Sequence, residues 1–455
     1  MKRYNIAMIH YKIQATDGVS LEMNKWAKIF EDMGHKVFML GAEIGNNGRI
    51  IHPSLHHTSD VAKALYNYSF VNKENFKDDD EYKKTMLDEA AKAERVIESF
   101  VVENSINLVI PQNVWSVAMN PSVAIALERV VERHRLKVLA QHHDFFWERI
   151  GGINYSCKFA EDVAERYLPP KNPRYHHVVI NQQGHDTLLK ERGLESTVVP
   201  NVFDFDMDEW KIDEYNRSFK ESLNISEDDV IFLQATRIVE RKGIELAIDL
   251  IKTLNDRKPS LIGKTLYDGR LIKKSTSFHL LCVGYSSDDN TGTYVARLKD
   301  RAKRSGVDIQ FADSFISHDR ETSGGMKKYS LWDSYVFADI ITYPSYWEGW
   351  GNQFLEGLFA EVPMVVYEYP VFVTDIKKCG FDYISLGDEH TTDERTHLID
   401  VDDSILNLAA DKTLRYLLDA SFREKNVRRN FEIGKNNYSM QTLRKYLETL
   451  IEDLN

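Results

Sequence analysis

Two glutamates separated by seven residues, Glu348 and Glu356, stand in the segment YPSYWEGWGNQFLEGLFAEVP. A strand-like stretch ends at Tyr343, a Pro344-Ser345 turn follows, and a helix begins near Asn352. Gly349 and Gly351 let the backbone approach a ligand closely, and the N–H groups opening the helix, around Gly351 and Asn352, suit an anion. Glu356 lies one turn inside that helix, within the apolar run FLEGLF. A buried carboxylate there needs a partner, and the vicinal hydroxyls of a sugar supply one. Read alone, the same residues also fit a solvent-facing Glu356 and a plain loop charge at Glu348.

A second constellation is ATRIVERKGIELAIDLIKTL, where Arg237, Arg241 and Lys242 crowd the loop before a helix starting at Ile244. Cations beside a helix N-terminus hold a diphosphate without a metal, and arginine grips phosphate oxygens in a bidentate way. By itself such a loop is equally a solvated basic turn. Together with the two glutamates it points to one shared ligand. Two further stretches follow strands nearer the start of the chain. TDGVS, residues 16–20, offers Gly18 for a tight turn and a helix start behind it, with Ser20 as the capping residue. It lacks the GxGxxG dinucleotide pattern. QHHDFFWER, residues 141–149, offers His142, His143 and Asp144 to sugar hydroxyls and Phe145, Phe146 and Trp147 to sugar faces. No third or fourth ligand stands at a spacing that would hold a metal.

The elements that must position these residues alternate. Asn5–His10 reads as a buried strand, then Met23, Trp26, Ala27, Phe30 and Met33 recur at helical spacing up to Gly34, and Lys36–Leu40 is the next strand. Residues 44–105 break the rhythm, with one or two helices expected over 74–104. Alternation resumes with Leu108–Pro111, a helix near Ser122–His134, Lys137–Gln141, a helix through Glu161–Tyr167, His177–Asn181 and Thr197–Pro200. After an acidic connector a second series runs through Val230–Gln234, Ile244–Leu254, Phe278–Val283, Tyr294–Ser305, Asp308–Phe311, Ile340–Tyr343, Asn352–Ala360, Pro363–Tyr367 and Tyr383–Leu386. Basic Asp256–Lys274 reads as a surface insertion, and Thr442–Leu454 as an amphipathic helix. The expected class is α/β, with two doubly wound parallel-sheet domains, 1–200 and 201–435, and a C-terminal helix (436–455) packing back on the first. Ligands of such sheets sit at the carboxyl ends of strands, where all four constellations lie.

The chain has 455 residues, 58 Lys+Arg against 70 Asp+Glu, and a net charge of -12. That balance argues against nucleic acid or an anionic bilayer as the main partner. No apolar run reaches the roughly 20 residues needed to span a membrane, and no secretory signal is expected. The three cysteines, Cys157, Cys282 and Cys379, show no pair spacing, so a reducing cytoplasm is the expected location.

Together these residues resemble the GT-B glycosyltransferases, most closely the large retaining family four. Glu348-GWGNQFL-Glu356 matches the family's paired donor-site glutamates, and Glu348-Gly349-Trp350-Gly351 its EGFG. Arg237 and Lys242 match its diphosphate-binding pair, Pro200-Asn201 its inter-domain turn, and Pro344-Ser345 the PS before the first glutamate. The usual Gly-Gly of the N-terminal loop is Asp17-Gly18 here, a departure at an acceptor or phosphate contact. A histidine touching the donor hexose is matched by His143, with His142 as the alternative. The resemblance implies two Rossmann-like domains facing a cleft and transfer of a hexose, with retention, from a nucleotide-diphosphate sugar of the GDP-mannose or UDP-glucose type. Catalysis would fall to Glu348, His143, Arg237 and Lys242. Gly18, Gly349, Trp350, Gly351, Asn352 and Glu356 would complete the donor site, with Glu356 on the ribose. The acceptor, a small soluble sugar or sugar acid, would meet His142, Asp144 and Trp147. DGVSLEM and HHDFFWER lean toward members that make compatible solutes such as mannosylglucosylglycerate. No cofactor is obligatory, Mg2+ is compatible but not required, and homo-oligomerisation is left open. A sugar phosphorylase or nucleotide-sugar epimerase on the same fold is the alternative enzyme, and a sugar-nucleotide-binding scaffold the non-enzymatic one.

Overall fold

A computed structural model describes residues 2–15, 17–149, 154–284, 292–317, 319–323 and 326–454. The chain divides into two compact units, Met1–Val202 with Met440–Asn455, and Phe203–Ser439.

The first unit is built on a six-stranded sheet in the order Lys36–Leu40, Asn5–Ile9, Leu108–Pro111, Lys137–His142, Tyr175–Val179, Ser196–Val198, every neighbouring pair parallel. Its strands Asn5–Ile9 and Leu108–Pro111 are apolar on both faces because both faces are covered. Ala7 and Ile9 point into one core while Ile6 and Met8 point into the other, as the two-residue period of a strand requires. On the first face the inserted region forms two helices, Asp60–Phe70 and the 25-residue Asp79–Glu103. Met86, Ala90, Ala93, Ile97 and Val101, the apolar series of the sequence, are buried there together with Tyr82, and the long helix packs on Pro121–His134. On the second face the helix Gly18–Asp32 buries Met23, Trp26 and Phe30 against Leu443, Leu447, Leu450 and Ile451 of the C-terminal helix Met440–Asp453. Each such aliphatic side chain contributes about 1.5–3 kcal/mol on burial. That is enough to hold the chain's end on this sheet.

In the second unit the order is Asp308–Phe311, Phe278–Cys282, Val230–Gln234, Ile340–Tyr343, Met364–Val366, Ile384–Ser385, again all parallel. The first strand in chain order is central, and the winding reverses between it and Ile340–Tyr343. The loops leaving these two strands therefore diverge, which opens a crevice at their carboxyl ends. They are the two loops that carry Arg237–Lys242 and Glu348–Asn352. In the first sheet the reversal falls between Asn5–Ile9 and Leu108–Pro111.

Some elements go beyond the expectation. Asp256–Lys274 is the surface insertion expected, and it is docked: Leu261, Leu266 and Ile272 are buried, and Tyr267 and Arg270 both reach the carboxylate of Asp339. Helices Asp403–Leu418 and Ala420–Tyr438 carry the chain from the last strand toward Met440–Asp453. A small sheet of Ile316–Ser317, Glu321–Ser323 and Met326–Ser330 stands apart from the main one. Among the described residues no helix is long and apolar enough to cross a membrane.

Candidate active site

The loop after Val230–Gln234 tightens into a single 3-10 turn, Glu240–Lys242, and Gly243 then opens the helix Ile244–Arg257 at φ +57°. A Cβ on Gly243 would lie 2.5 Å from the carbonyl oxygen of Pro344, so only glycine lets the two loops touch backbone to backbone. Tyr346 N donates to Arg241 O at 3.1 Å across the same seam. This contact delivers two cations to one carboxylate. Lys242 Nζ donates to Glu348 Oε1, and Arg241 Nη1 donates to Glu348 Oε2 at 2.9 Å and to Trp347 O at 3.0 Å. Arg237 is exposed in the same loop. Behind it Gly284 presses so close that a Cβ would sit 1.7 Å from Thr236 O.

Burial sets the electrostatics of this pair. It pushes the Lys242 ammonium below the ordinary lysine value despite the adjoining carboxylate. Burial also pushes Glu348 upward, but Lys242 and Arg241 together outweigh it, and the carboxyl sits below its ordinary value. Glu348 is thus a held anion. Lys242 and Arg241 are in turn cations fixed in place by that carboxylate.

Gly351 caps the helix Asn352–Phe359 at φ +120°. A Cβ there would overlap the hydroxyls of Tyr369 and Tyr343, at 2.2 and 2.7 Å, and glycine leaves no side chain to close the helix end. Glu356, half-buried one turn in, accepts a 2.6 Å hydrogen bond from the Tyr335 hydroxyl. Tyr335 is fully buried, and burial and the charge of Glu356 drive its phenol well above its ordinary value, so it stays a donor. No local pattern announces Tyr335, which ends a separate short helix, Leu331–Tyr335, opened by a Ser330–Asp333 capping box.

Trp350, expected in the donor site, keeps its side chain buried. It is 2% exposed, with its ring edge-on to Tyr438 at 4.9 Å, and its carbonyl accepts from Tyr369. The exposed ring of this loop is Trp347 instead, with the Arg241 guanidinium 5.3 Å from its centroid.

In the first unit the strand Lys137–His142 separates the two histidines. His142 still belongs to the strand and points inward. It is 1% exposed, hydrogen-bonded to His177 at 3.0 Å and stacked on that ring, so the acceptor contact expected of it is corrected. His143 has left the strand. Its N–H donates to Asn113 Oδ1 at 2.7 Å, and its Nε2 lies 3.3 Å from Gln112 Oε1. Burial lowers its imidazole to about 3, which keeps the ring neutral. Gln112 O also meets His10 Nδ1 at 2.7 Å, so the residue following the middle strand ties together the histidines that follow the strands on either side of it. Asn113, at φ +60°, spends its amide on Asp144 as well, and Asp144 is half-exposed past the carboxyl end of the strand Lys137–His142.

Trp147 is also corrected as a sugar-stacking residue. It is 5% exposed and lies flat on Phe145 at 4.6 Å, inside the core of this unit. The TDGVS loop differs in a third respect. Asp17, not Ser20, is the cap: its Oδ1 accepts from Val19 N and Ser20 N, both at 3.1 Å, and its Oδ2 accepts from Ser20 Oγ at 2.7 Å. Gly18 is simply the first residue of the helix. A carboxylate thus occupies the helix-end donors that a phosphate would use. Among the described residues no group of three or more His, Cys, Asp or Glu side chains is arranged to hold a metal ion.

The chain resembles known proteins over nearly its whole length. Residues 216–378 match the family model "Glycosyl transferases group 1". The chain is 36% identical over 443 residues, 97% of its own length and 99% of the other's, to the mannosylglucosylglycerate synthase of Petrotoga mobilis. It is 34% identical over 438 residues, 96% and 97% of the two lengths, to the mannosylglucosylglycerate synthase of Thermotoga maritima. In fold it is similar to a glycosyltransferase from Rickettsia africae, with a TM-score of 0.62 at 13% identity, covering 100% of this chain and 99% of that one. Two parallel α/β units with such neighbours are the GT-B fold. With both lengths matched almost end to end at over a third identity, the chain belongs to the group 1 glycosyl transferases, family four.

Proposed function

We propose that this enzyme transfers a mannosyl group from a nucleoside diphosphate mannose to the glucosyl unit of glucosylglycerate, with retention at the anomeric carbon. The second unit binds the donor and the first takes the acceptor. The observation that carries this reading is the Lys242–Glu348–Arg241 cluster at the strand reversal of the second sheet, in a chain matched over nearly its whole length by two mannosylglucosylglycerate synthases.

In this reading Lys242 and Arg237 hold the diphosphate, the helix end at Gly351 and Asn352 adds N–H donors, Glu356 takes the ribose hydroxyls and Glu348 the hydroxyls of the hexose. The bond from the anomeric carbon to the phosphate oxygen breaks first, and its electron pair stays on the phosphate. Fixed cations stabilise that charge without having to reorganise, the kind of contribution that dominates many enzymatic rate enhancements. The acceptor hydroxyl then bonds to the oxocarbenium-like carbon on the face the phosphate leaves, and its proton passes to the departing phosphate oxygen. Neutral His143, whose Nε2 faces Gln112 Oε1, offers its other ring nitrogen as an acceptor to a sugar hydroxyl. No protein nucleophile is required.

Purified enzyme incubated with GDP-mannose, UDP-glucose or ADP-glucose and glucosylglycerate tests this, with products read by NMR. Mannosylglucosylglycerate of unchanged anomeric configuration is the expected product. Release of sugar 1-phosphate dependent on added phosphate would instead mark a phosphorylase, and an inverted anomeric centre would overturn the same-face step.

A further inference from the structure

Of the seven tryptophans, Trp347 is the one among the described residues with its ring in solvent, at 49% exposure. It immediately precedes Glu348. An exposed indole costs hydration free energy, and the chain that bears this one is held on several sides. Its carbonyl accepts from Arg241 Nη1 at 3.0 Å, and the Arg241 guanidinium lies near its ring. The residue before it is tied by Tyr346 N to Arg241 O and by ring contact with His390 at 5.3 Å, itself bonded to the Tyr367 hydroxyl at 2.7 Å. The residue after it is locked to Lys242. The result is a preorganised apolar surface beside a carboxylate anchored by two cations.

We propose that Trp347 is a specificity-determining residue, a platform on which the C–H face of a pyranose stacks while its hydroxyls turn to Glu348. This rests on the function proposed above and adds a contact that neither the paired glutamates nor the basic loop supplies. Stacking on a ring fixed in advance loses little conformational freedom on binding. The pyranose is either the donor hexose or the acceptor hexose, and kinetics separate the two.

The test compares wild type with Trp347→Ala and Trp347→Phe. It reads KM for donor and for acceptor, donor hydrolysis without acceptor, and the thermal shift given by GDP and UDP alone. Trp347→Ala should raise one KM about tenfold or more, Trp347→Phe should recover most of it, and the nucleotide shift should stay as in wild type. A change in donor KM and hydrolysis assigns the platform to the donor hexose. A change in acceptor KM alone assigns it to the acceptor. Unchanged KM values for both substrates in Trp347→Ala overturn the proposal. Should wild type transfer nothing, the functional reading fails separately, and fluorescence then tests the platform. A spectral change with methyl mannoside or methyl glucoside that is lost in Trp347→Phe supports it, and no such change overturns it.

Discussion

Lys242 and Glu348, 106 residues apart in the chain, meet as an ion pair in which each side chain is only 9% exposed. The pair exists because Gly243 lets the two loops at the strand reversal close on each other. Removing one partner leaves a buried charge partly uncompensated, which typically costs about 3–5 kcal/mol. Arg241 softens that loss for Glu348. Lys242→Ala should therefore destabilise the protein by the lower part of that range in urea unfolding while lowering single-turnover transfer by about 10²–10³. Glu348→Gln keeps the shape and should cost less stability, with a comparable loss of turnover. Transfer at the wild-type rate in both variants would remove this cluster from the active site.

Tyr335 makes a different kind of prediction because it touches Glu356 and not the reacting centre. Its 2.6 Å bond to Oε2 fixes the carboxylate, and hydrogen bonds to charged groups contribute about 1.5–3 kcal/mol. With Glu356 on the ribose, Tyr335→Phe should raise the donor KM roughly tenfold or more, with kcat changed much less. A drop in kcat with KM unchanged would place Glu356 elsewhere. Steady-state kinetics with varied donor decides.

Much of this architecture was legible because the parallel strands are buried on both faces. Leu108–Pro111, Val230–Gln234 and Ile340–Tyr343 are read from composition with the same ends the structure has. Helix Ala420–Tyr438 was not legible, since its inward face is Arg423, Asn426, Val427, Asn430 and Gly434, a series with almost no hydrophobic period. Arg423 is held there by the Asp339 carbonyl and the Tyr267 ring, contacts that no local pattern announces. Within the site, residue types were readable but directions were not. His142 and His143 differ only in which of them ends the strand, and one residue reverses the face. Asp17 and Ser20 are both good caps three residues apart. Trp350 was expected in the donor site and is buried, while Trp347, for which no role was expected, is the exposed ring of the loop.

His143 carries a pH dependence of known sign. Burial lowers its folded-state value to about 3 from 6.5, so between those limits the unfolded chain binds the proton and the folded protein does not. Stability from this residue is present above pH 6.5 and is lost as pH falls, by up to about 1.4 kcal/mol per pH unit. His143→Asn should remove that slope. Urea midpoints measured from pH 7.5 to 4.5 should fall more steeply for wild type than for the variant, and parallel curves would show that His143 is protonated in the folded state.

Glu128 gives the opposite slope in the same unit. Its carboxyl is buried beside the Tyr175 hydroxyl at 3.1 Å, and burial pushes it up to about 7 from 4.5. A raised acid stabilises the fold where it is protonated, so its contribution is full below pH 4.5 and is lost as pH rises through 7. Glu128→Gln keeps a neutral, hydrogen-bonding side chain at every pH. The variant should gain on wild type by about 3 kcal/mol between pH 4 and pH 8, most of it before pH 7, where the unfolded chain is already ionised and the folded chain is not. Because Glu128 lies on the helix Pro121–His134, away from the residues assigned to donor and acceptor, kcat/KM should stay at the wild-type value across that range. A gain in stability with lost transfer would instead tie this helix to the acceptor side of the enzyme.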